Sequence, residues 1–214
     1  MTKQPPESED AIVWRDQPVA PPIRRLNEGG LRELPWLADL SLLLDRKAPL
    51  ILRSDACRET IASHLGDVLV EQGGLLIGSA WSLTPEEPDA PLAVLCVEEA
   101  VPALDAVGSG TSLRMDTELW GRAQALAAAR GDIIVGWYHS HPDLGAFFSF
   151  TDRRTQAAVF RHPYSLGLVI DPIRGEERWF LGRRCREVGP ACQFPGRHAS
   201  LDQDQDGGAD HEDR

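Results

Sequence analysis

Two histidines one residue apart, in Gly136-Trp137-Tyr138-His139-Ser140-His141-Pro142, constrain this chain more than any other stretch of it. The run Ile133–His141 is apolar on both faces at its start, which predicts a central strand of a sheet. On a strand, residues two apart project to the same side about 6.5 Å apart, so His139 and His141 turn both imidazoles toward one point. Seven residues then intervene before Ser149, and two more before Asp152. Asp152 falls at the start of the next predicted helix, Thr151–Phe160, where it supplies a carboxylate oxygen. Two imidazoles and one carboxylate make three protein ligands. They leave the fourth position of a tetrahedral zinc open to water, which is the arrangement of a catalytic site and not of a closed structural one.

The surrounding pattern alternates strands and helices. Pro49–Leu52 is a short apolar run, followed by Ser54 and Asp55, both good N-cap residues, and by a helix over Ala56–Leu65 that stops at Gly66. Gly73–Gly78 and Leu92–Val97 read as two strands joined by the loop Thr84–Pro91. Asp116 or Thr117 caps a helix running to Arg130, with Leu119, Trp120, Ala123, Leu126 and Ala127 at helical spacing and Gly131 as its stop. Ser165–Ile170 and Arg178–Leu181 predict a hairpin around Asp171-Pro172-Ile173-Arg174-Gly175. The sum is a mixed α/β (α+β) domain, one mixed β-sheet with flanking helices.

Charge separates this core from the ends. The 214 residues carry a formal charge of -11, from 33 acidic against 22 basic side chains. Asp202, Asp204, Asp206, Asp210, Glu212 and Asp213 crowd into residues 199–214 against Arg214 alone, so the rest of the chain is only mildly acidic. That tail has hardly any apolar side chain to offset its ordering entropy and is predicted to be disordered and dispensable for catalysis. Prolines 18, 21 and 22 and mixed charge mark residues 1–47 as a partly ordered arm with a short strand near Ile12–Trp14. The domain proper is 48–183, and 184–198 is a C-terminal extension. No basic stripe points to nucleic acid, and no apolar run approaches the ~20 residues of a membrane span. The opening Met1–Pro6 does not read as an export signal. Cys57, Cys96, Cys185 and Cys192 form no CxxC pair, which argues against a disulfide framework or a thiolate zinc site and fits a reducing cytoplasm.

His139-Ser140-His141-Pro142, Ser149 and Asp152 resemble the JAMM motif of the JAB1/MPN/Mov34 metallopeptidases. That family also places a glutamate just before a Gly-Gly-apolar strand, and here the chain reads Glu71-Gln72-Gly73-Gly74-Leu75. The Trp137-Tyr138 pair before the histidines and Leu168-Val169-Ile170-Asp171-Pro172 after the Asp152 helix follow in the family's order. The resemblance covers roughly residues 48–183 and implies a single JAB/MPN-type catalytic domain with one Zn²⁺. It implies His139, His141 and Asp152 as zinc ligands, Glu71 as the proton shuttle outside the ligand set, and Ser149 as the donor to a developing oxyanion. Taken alone, Ser149 reads as a helix cap and Glu71 as an exposed carboxylate at a strand start. Ser140 points to the opposite face and reads as structural.

The resemblance also implies a substrate. It is a ubiquitin-like protein, as precursor or conjugate, cut after its C-terminus, with its extended tail lying against a strand edge. The segment Glu98–Asp116, containing Val107, Gly108, Ser109, Gly110 and Thr111, matches in position the family's variable insert and is the candidate substrate-binding loop; a plain connection is its alternative. Small single-domain members resemble deconjugating peptidases encoded beside ubiquitin-like, E1-like and E2-like proteins in bacterial antiphage operons of the Bil and CBASS types. Processing of a sulfur-carrier ubiquitin-like protein, and a non-catalytic module that binds a ubiquitin-like protein, are the alternatives.

Overall fold

In the computed structural model, which describes residues 23–34, 37, 48–66, 68–87, 90–104 and 117–197, thirteen elements follow one another. They are β1 (Arg24–Arg25), α1 (Glu28–Glu33), β2 (Leu50–Ser54), α2 (Asp55–His64), β3 (Gly73–Ser82), β4 (Leu92–Pro102), α3 (Thr117–Ala129), β5 (Ile133–Ser140), α4 (Phe150–Ala158), β6 (Leu166–Asp171), β7 (Glu176–Leu181), β8 (Arg186–Val188) and β9 (Cys192–Phe194). The expected strand near Ile12–Trp14, the loop Val107–Thr111 and the tail 199–214 lie outside the described residues. No helix among those described is long and apolar enough to cross a membrane.

The fold class is the expected one, a mixed sheet with flanking helices. Strand order is β8-β7-β6-β5-β3-β4-β2-β9, with β1 beside β3. The pairs β5–β6, β2–β4, β2–β9 and β1–β3 are parallel and the others antiparallel. Four strands separate β2 from β7 in that order, yet Arg53 on β2 donates to Glu177 on β7 at 2.9 Å, and its guanidinium lies 5.8 Å from the Trp179 ring. The sheet is therefore strongly curled. One of its faces packs Leu76, Ala80, Val135, Tyr138 and Trp179 against Cys57 and Ile61 of α2. On the other, Leu75, Ile77, Trp137, Val169 and Phe180 pack against Leu119, Ala123 and Ala127 of α3. Helix α2 starts at Ser54, whose hydroxyl accepts the Cys57 N–H at 3.0 Å, the N-cap expected from its sequence.

A shift of register in β5 sets the side on which the histidines lie. Ile77 pairs with Ile134 while Leu76 pairs with Gly136, so Val135 is the extra residue of a β-bulge. Strict alternation would put Trp137 and His139 on the face of Ile133 and Val135; the bulge turns them to the face of Ile77 and α3. Gly136 follows because β6 passes too close for a side chain: a Cβ there would lie 2.0 Å from the Leu166 carbonyl oxygen. Gly136→Ala is accordingly expected to cost about 3 kcal/mol, the upper end of the overpacking range, measured as a lower urea midpoint at unchanged slope.

The same device lets β3 outrun its apolar stretch. Ile77 pairs with Glu99 and Gly78 with Val97, which leaves Glu98 extra on β4, and a Cβ on Gly78 would lie 1.8 Å from the Cys96 carbonyl oxygen. The strand read as ending at Gly78 thus continues to Ser82, buried throughout.

Candidate metal centre

Strand β5 carries His139 and delivers His141 one residue past its end, where the His141 N–H donates to the Ile170 carbonyl of β6 at 2.8 Å. His139 Nε2 lies 3.2 Å from His141 Nε2 and 3.3 Å from Asp152 Oδ1, and His141 Nε2 lies 3.6 Å from Asp152 Oδ2. Tetrahedral zinc with bonds of about 2.0–2.1 Å sets neighbouring ligand atoms about 3.3 Å apart. The two imidazole nitrogens stand at close to that spacing, each faces one oxygen of the Asp152 carboxylate at a similar distance, and all three residues are buried. The arrangement fits a zinc ion.

Asp152 is placed by the start of α4. Its Oδ2 accepts the Ser149 N–H at 2.6 Å while the Ser149 hydroxyl accepts the Asp152 N–H at 3.2 Å, a capping box that satisfies two orphan helix donors. Burial pushes the Asp152 pKa up, but the hydrogen bond and charge of His139 and the bonds from Ser149 outweigh it and hold the group at about 2. The carboxylate is ionised and oriented at neutral pH. Burial, and next the charge of His139, lower the pKa of His141, which favours the neutral imidazole that a metal requires. Ser149 fills the cap role, its hydroxyl oxygen accepting the Asp152 N–H while its side chain also bonds to the Asp152 carboxylate.

Glu71 reaches the same place from the start of β3. The Gln72 N–H donates to Ser140 Oγ at 2.9 Å, and the Ser140 N–H donates to the Gln72 carbonyl at 2.8 Å. Ser140, turned away from His139 and His141, thus anchors the residue next to Glu71. Glu71 Oε1 stands 4.0 Å from His141 Nε2, farther than neighbouring ligands of one zinc would be. Burial raises the Glu71 pKa, the His139 charge opposes the rise, and Asp152 adds to it. A carboxylate raised in this way is suited to exchanging a proton.

Two further residues shape the site. Asp171, expected to form a turn, accepts the N–H groups of Ile173 and Arg174 at 3.0 and 3.1 Å and also those of Asp143 and Gly145 at 3.1 and 2.7 Å. It therefore holds the loop that follows His141. Gln156 escapes the motif reading altogether. Fully buried one turn after Asp152, it accepts the Trp137 Nε1–H at 2.6 Å, and Trp137 stacks on His139 with centroids 4.5 Å apart. The available signal was its i, i+4 spacing from Asp152, which puts both on one helix face. Leu144, Phe147 and Phe150 remain exposed in the loop and helix start between His141 and Asp152, with the Phe147 ring 5.0 Å from that of His141.

Residues 54–182 match the family model of prokaryotic homologs of the JAB domain. A COP9 signalosome complex subunit 5 from Debaryomyces hansenii is 40% identical over 75 residues, 34% of this chain and 15% of that protein. The 26S proteasome regulatory subunit rpn11 of Schizosaccharomyces pombe is 41% identical over 69 residues, 32% and 22% of the two chains. An NAD(+) hydrolase TcpA from Theionarchaea archaeon is 42% identical over 66 residues, 30% and 20% of the two chains. The matches thus span less than a quarter of the length of these relatives. The solution structure of protein DSY2949 from Desulfitobacterium hafniense superposes with a TM-score of 0.51 at 22% identity, over 68% of this chain and 93% of that one, and shows the shared fold.

Proposed function

The chain belongs to the family of prokaryotic homologs of the JAB domain, and we propose that it is a zinc metallopeptidase cleaving the amide or isopeptide bond after the C-terminus of a ubiquitin-like protein. The observation that carries this reading is the meeting of His139 and His141 with the Asp152 carboxylate at 3.2–3.6 Å, with Glu71 4.0 Å from His141. Zinc held by the three would act as a Lewis acid and bring the pKa of water to about 7. Glu71 takes up the proton released from the attacking water and passes it to the leaving amine. Ser149 donates its hydroxyl proton to the oxygen on which negative charge develops, while its lone pair keeps the α4 cap. The ionised Asp152 and the neutral His141 need no proton loss before they bind the ion.

Two of the relatives are named as subunits of the COP9 signalosome and the 26S proteasome, which supports a ubiquitin-like substrate class. Leu144, Phe147 and Phe150 offer apolar contacts to an extended tail entering beside the ligands, and the loop with Val107, Gly108, Ser109, Gly110 and Thr111 is proposed as its clamp. The proposed setting is a bacterial antiphage pathway in the cytoplasm with E1-like and E2-like partners. The test is incubation with C-terminal fusions of bacterial ubiquitin-like proteins and mass analysis of the cut. The expected result is one cut directly after the ubiquitin-like C-terminus, abolished by a chelator and restored by one equivalent of Zn²⁺. Cleavage indifferent to chelation, or no cleavage by the zinc-loaded chain across such fusions, defeats the reading.

A further inference from the structure

Histidines that ligate metals ordinarily have their ring orientation set by a hydrogen bond from the second ring nitrogen to a carboxylate, a carbonyl or water. His139 Nδ1 is buried and has no such partner among the described residues. What lies against its ring is the Trp137 indole, parallel within 8° at 4.5 Å. Phe160 stacks on Trp137 at 5.6 Å, and Trp120 on Phe160 at 5.7 Å, so the imidazole ends a column of four rings. Stacking alone fixes the plane of a ring and leaves it free to slide and turn within that plane. One directional bond removes this freedom from Trp137: its Nε1–H donates to Gln156 Oε1 at 2.6 Å. The orientation of the amide is set in turn, because Gln156 Nε2 donates to the Ser165 carbonyl at 3.0 Å, which leaves Oε1 to face the indole.

We propose that Gln156 is a positioning residue of the metal centre, which holds the His139 imidazole in its ligating orientation through the Trp137 indole. The inference rests on the zinc reading above. On this account α4 serves the ion twice, directly through Asp152 and one turn later through Gln156 and Trp137. Neither Gln156 nor Trp137 touches the ion or the reacting atoms.

The experiment is competition for Zn²⁺ against a chromogenic chelator, with the absorption of the Co²⁺-substituted chain as a second readout. Both are run on the parent, Gln156→Leu, Trp137→Phe and the double variant. Trp137→Phe keeps a ring in the column and removes the same hydrogen bond from its other end. Each single variant is expected to bind zinc about 10–100-fold more weakly, the usual effect of losing an outer-shell partner, with shifted Co²⁺ bands. The double variant should lose no more than the weaker single variant. Gln156→Glu, which in its protonated form keeps both the acceptor for the indole and a donor for the Ser165 carbonyl, should bind Zn²⁺ within about threefold of the parent whatever its melting temperature. Parent-like affinity and Co²⁺ bands in Gln156→Leu, or in Trp137→Phe should the first variant not fold, overturn the proposal. So do losses that multiply in the double variant, which would leave Gln156 a purely structural residue. A parent chain that binds no zinc would instead refute the metal reading itself, before any variant is compared.

Discussion

Glu71→Gln is expected to slow cleavage about 10²–10⁴-fold, the usual worth of a general acid–base residue, while the chain keeps close to one equivalent of zinc. Glutamine preserves the size of the side chain and its ability to accept a hydrogen bond, but it cannot carry a proton between water and a leaving amine. Glu71 stands 4.0 Å from His141 Nε2, farther than the 3.2–3.6 Å distances among His139, His141 and Asp152, so its replacement should leave the proposed ligand set whole. In the zinc-free chain the sign of a second effect follows from burial, which raises the Glu71 pKa. A raised carboxylate pKa costs stability above that pKa and costs none once pH falls below the unfolded value. The variant should therefore melt higher than the parent at pH 7 and lose that advantage in acid. Metal analysis beside turnover decides the role: a folded Glu71→Gln chain that has lost its zinc makes Glu71 a ligand, and one that turns over like the parent removes it from the mechanism.

How these parts could be read from sequence differed from residue to residue. The convergence of His139 and His141 follows from the period of a strand, and the approach of Asp152 from its place at a helix start. Both are local rules, and local rules read well in one dimension. The face on which the histidines lie is not local, because it depends on the Val135 bulge, and that bulge exists only in the pairing of β5 with β3. Glu71 precedes a glycine-rich strand, and its neighbour Gln72 meets β5 across 68 residues of chain. No spacing rule connects such residues, so only the resemblance to a known motif pointed to it. Gln156 was harder to single out for a different reason, although its spacing puts it on the helix face of Asp152. A glutamine inside a helix reads as a surface residue until an indole N–H and a carbonyl are seen to satisfy it in the core.

The ends of the described chain make the same point about charge. Strands β8 and β9 have three residues each, too short for any periodicity to show. Three residues past β9, the Arg197 guanidinium reaches Glu98 at 2.6 Å and Asp132 at 2.5 Å, all three side chains almost fully buried. Two of the carboxylates counted in the acidic surplus are thus paired inside the fold with one arginine, 99 and 65 residues away, which offsets one of their two charges. A sum over the sequence treats them like the acids of the tail.

Asp152→Asn is expected to abolish both tight zinc binding and cleavage, with affinity falling more than about 100-fold, since the loss of an outer-shell partner alone costs 10–100-fold. The variant is informative because Asp152 holds two positions at once. As the N3 residue of the α4 capping box it accepts the Ser149 N–H, and as a metal ligand it would supply an anionic oxygen. Asparagine keeps a carbonyl oxygen for the cap and gives up the anion. Its carboxylate pKa, lowered to about 2, also stabilises the zinc-free fold at neutral pH, a contribution present above the ordinary carboxylate pKa and lost as pH falls through about 2. The variant should accordingly melt somewhat below the parent without zinc. What separates the two roles is the increment that zinc adds. Zinc at about 1,000 times its dissociation constant stabilises a folded chain by about 4 kcal/mol, so the melting temperature of the parent should climb with added Zn²⁺ while that of Asp152→Asn stays flat. Loss of a cap or of a buried charge lowers both curves equally and leaves the increment alone; only loss of a ligand removes it. A variant whose melting temperature rises with zinc as the parent's does would take Asp152 out of the ligand set.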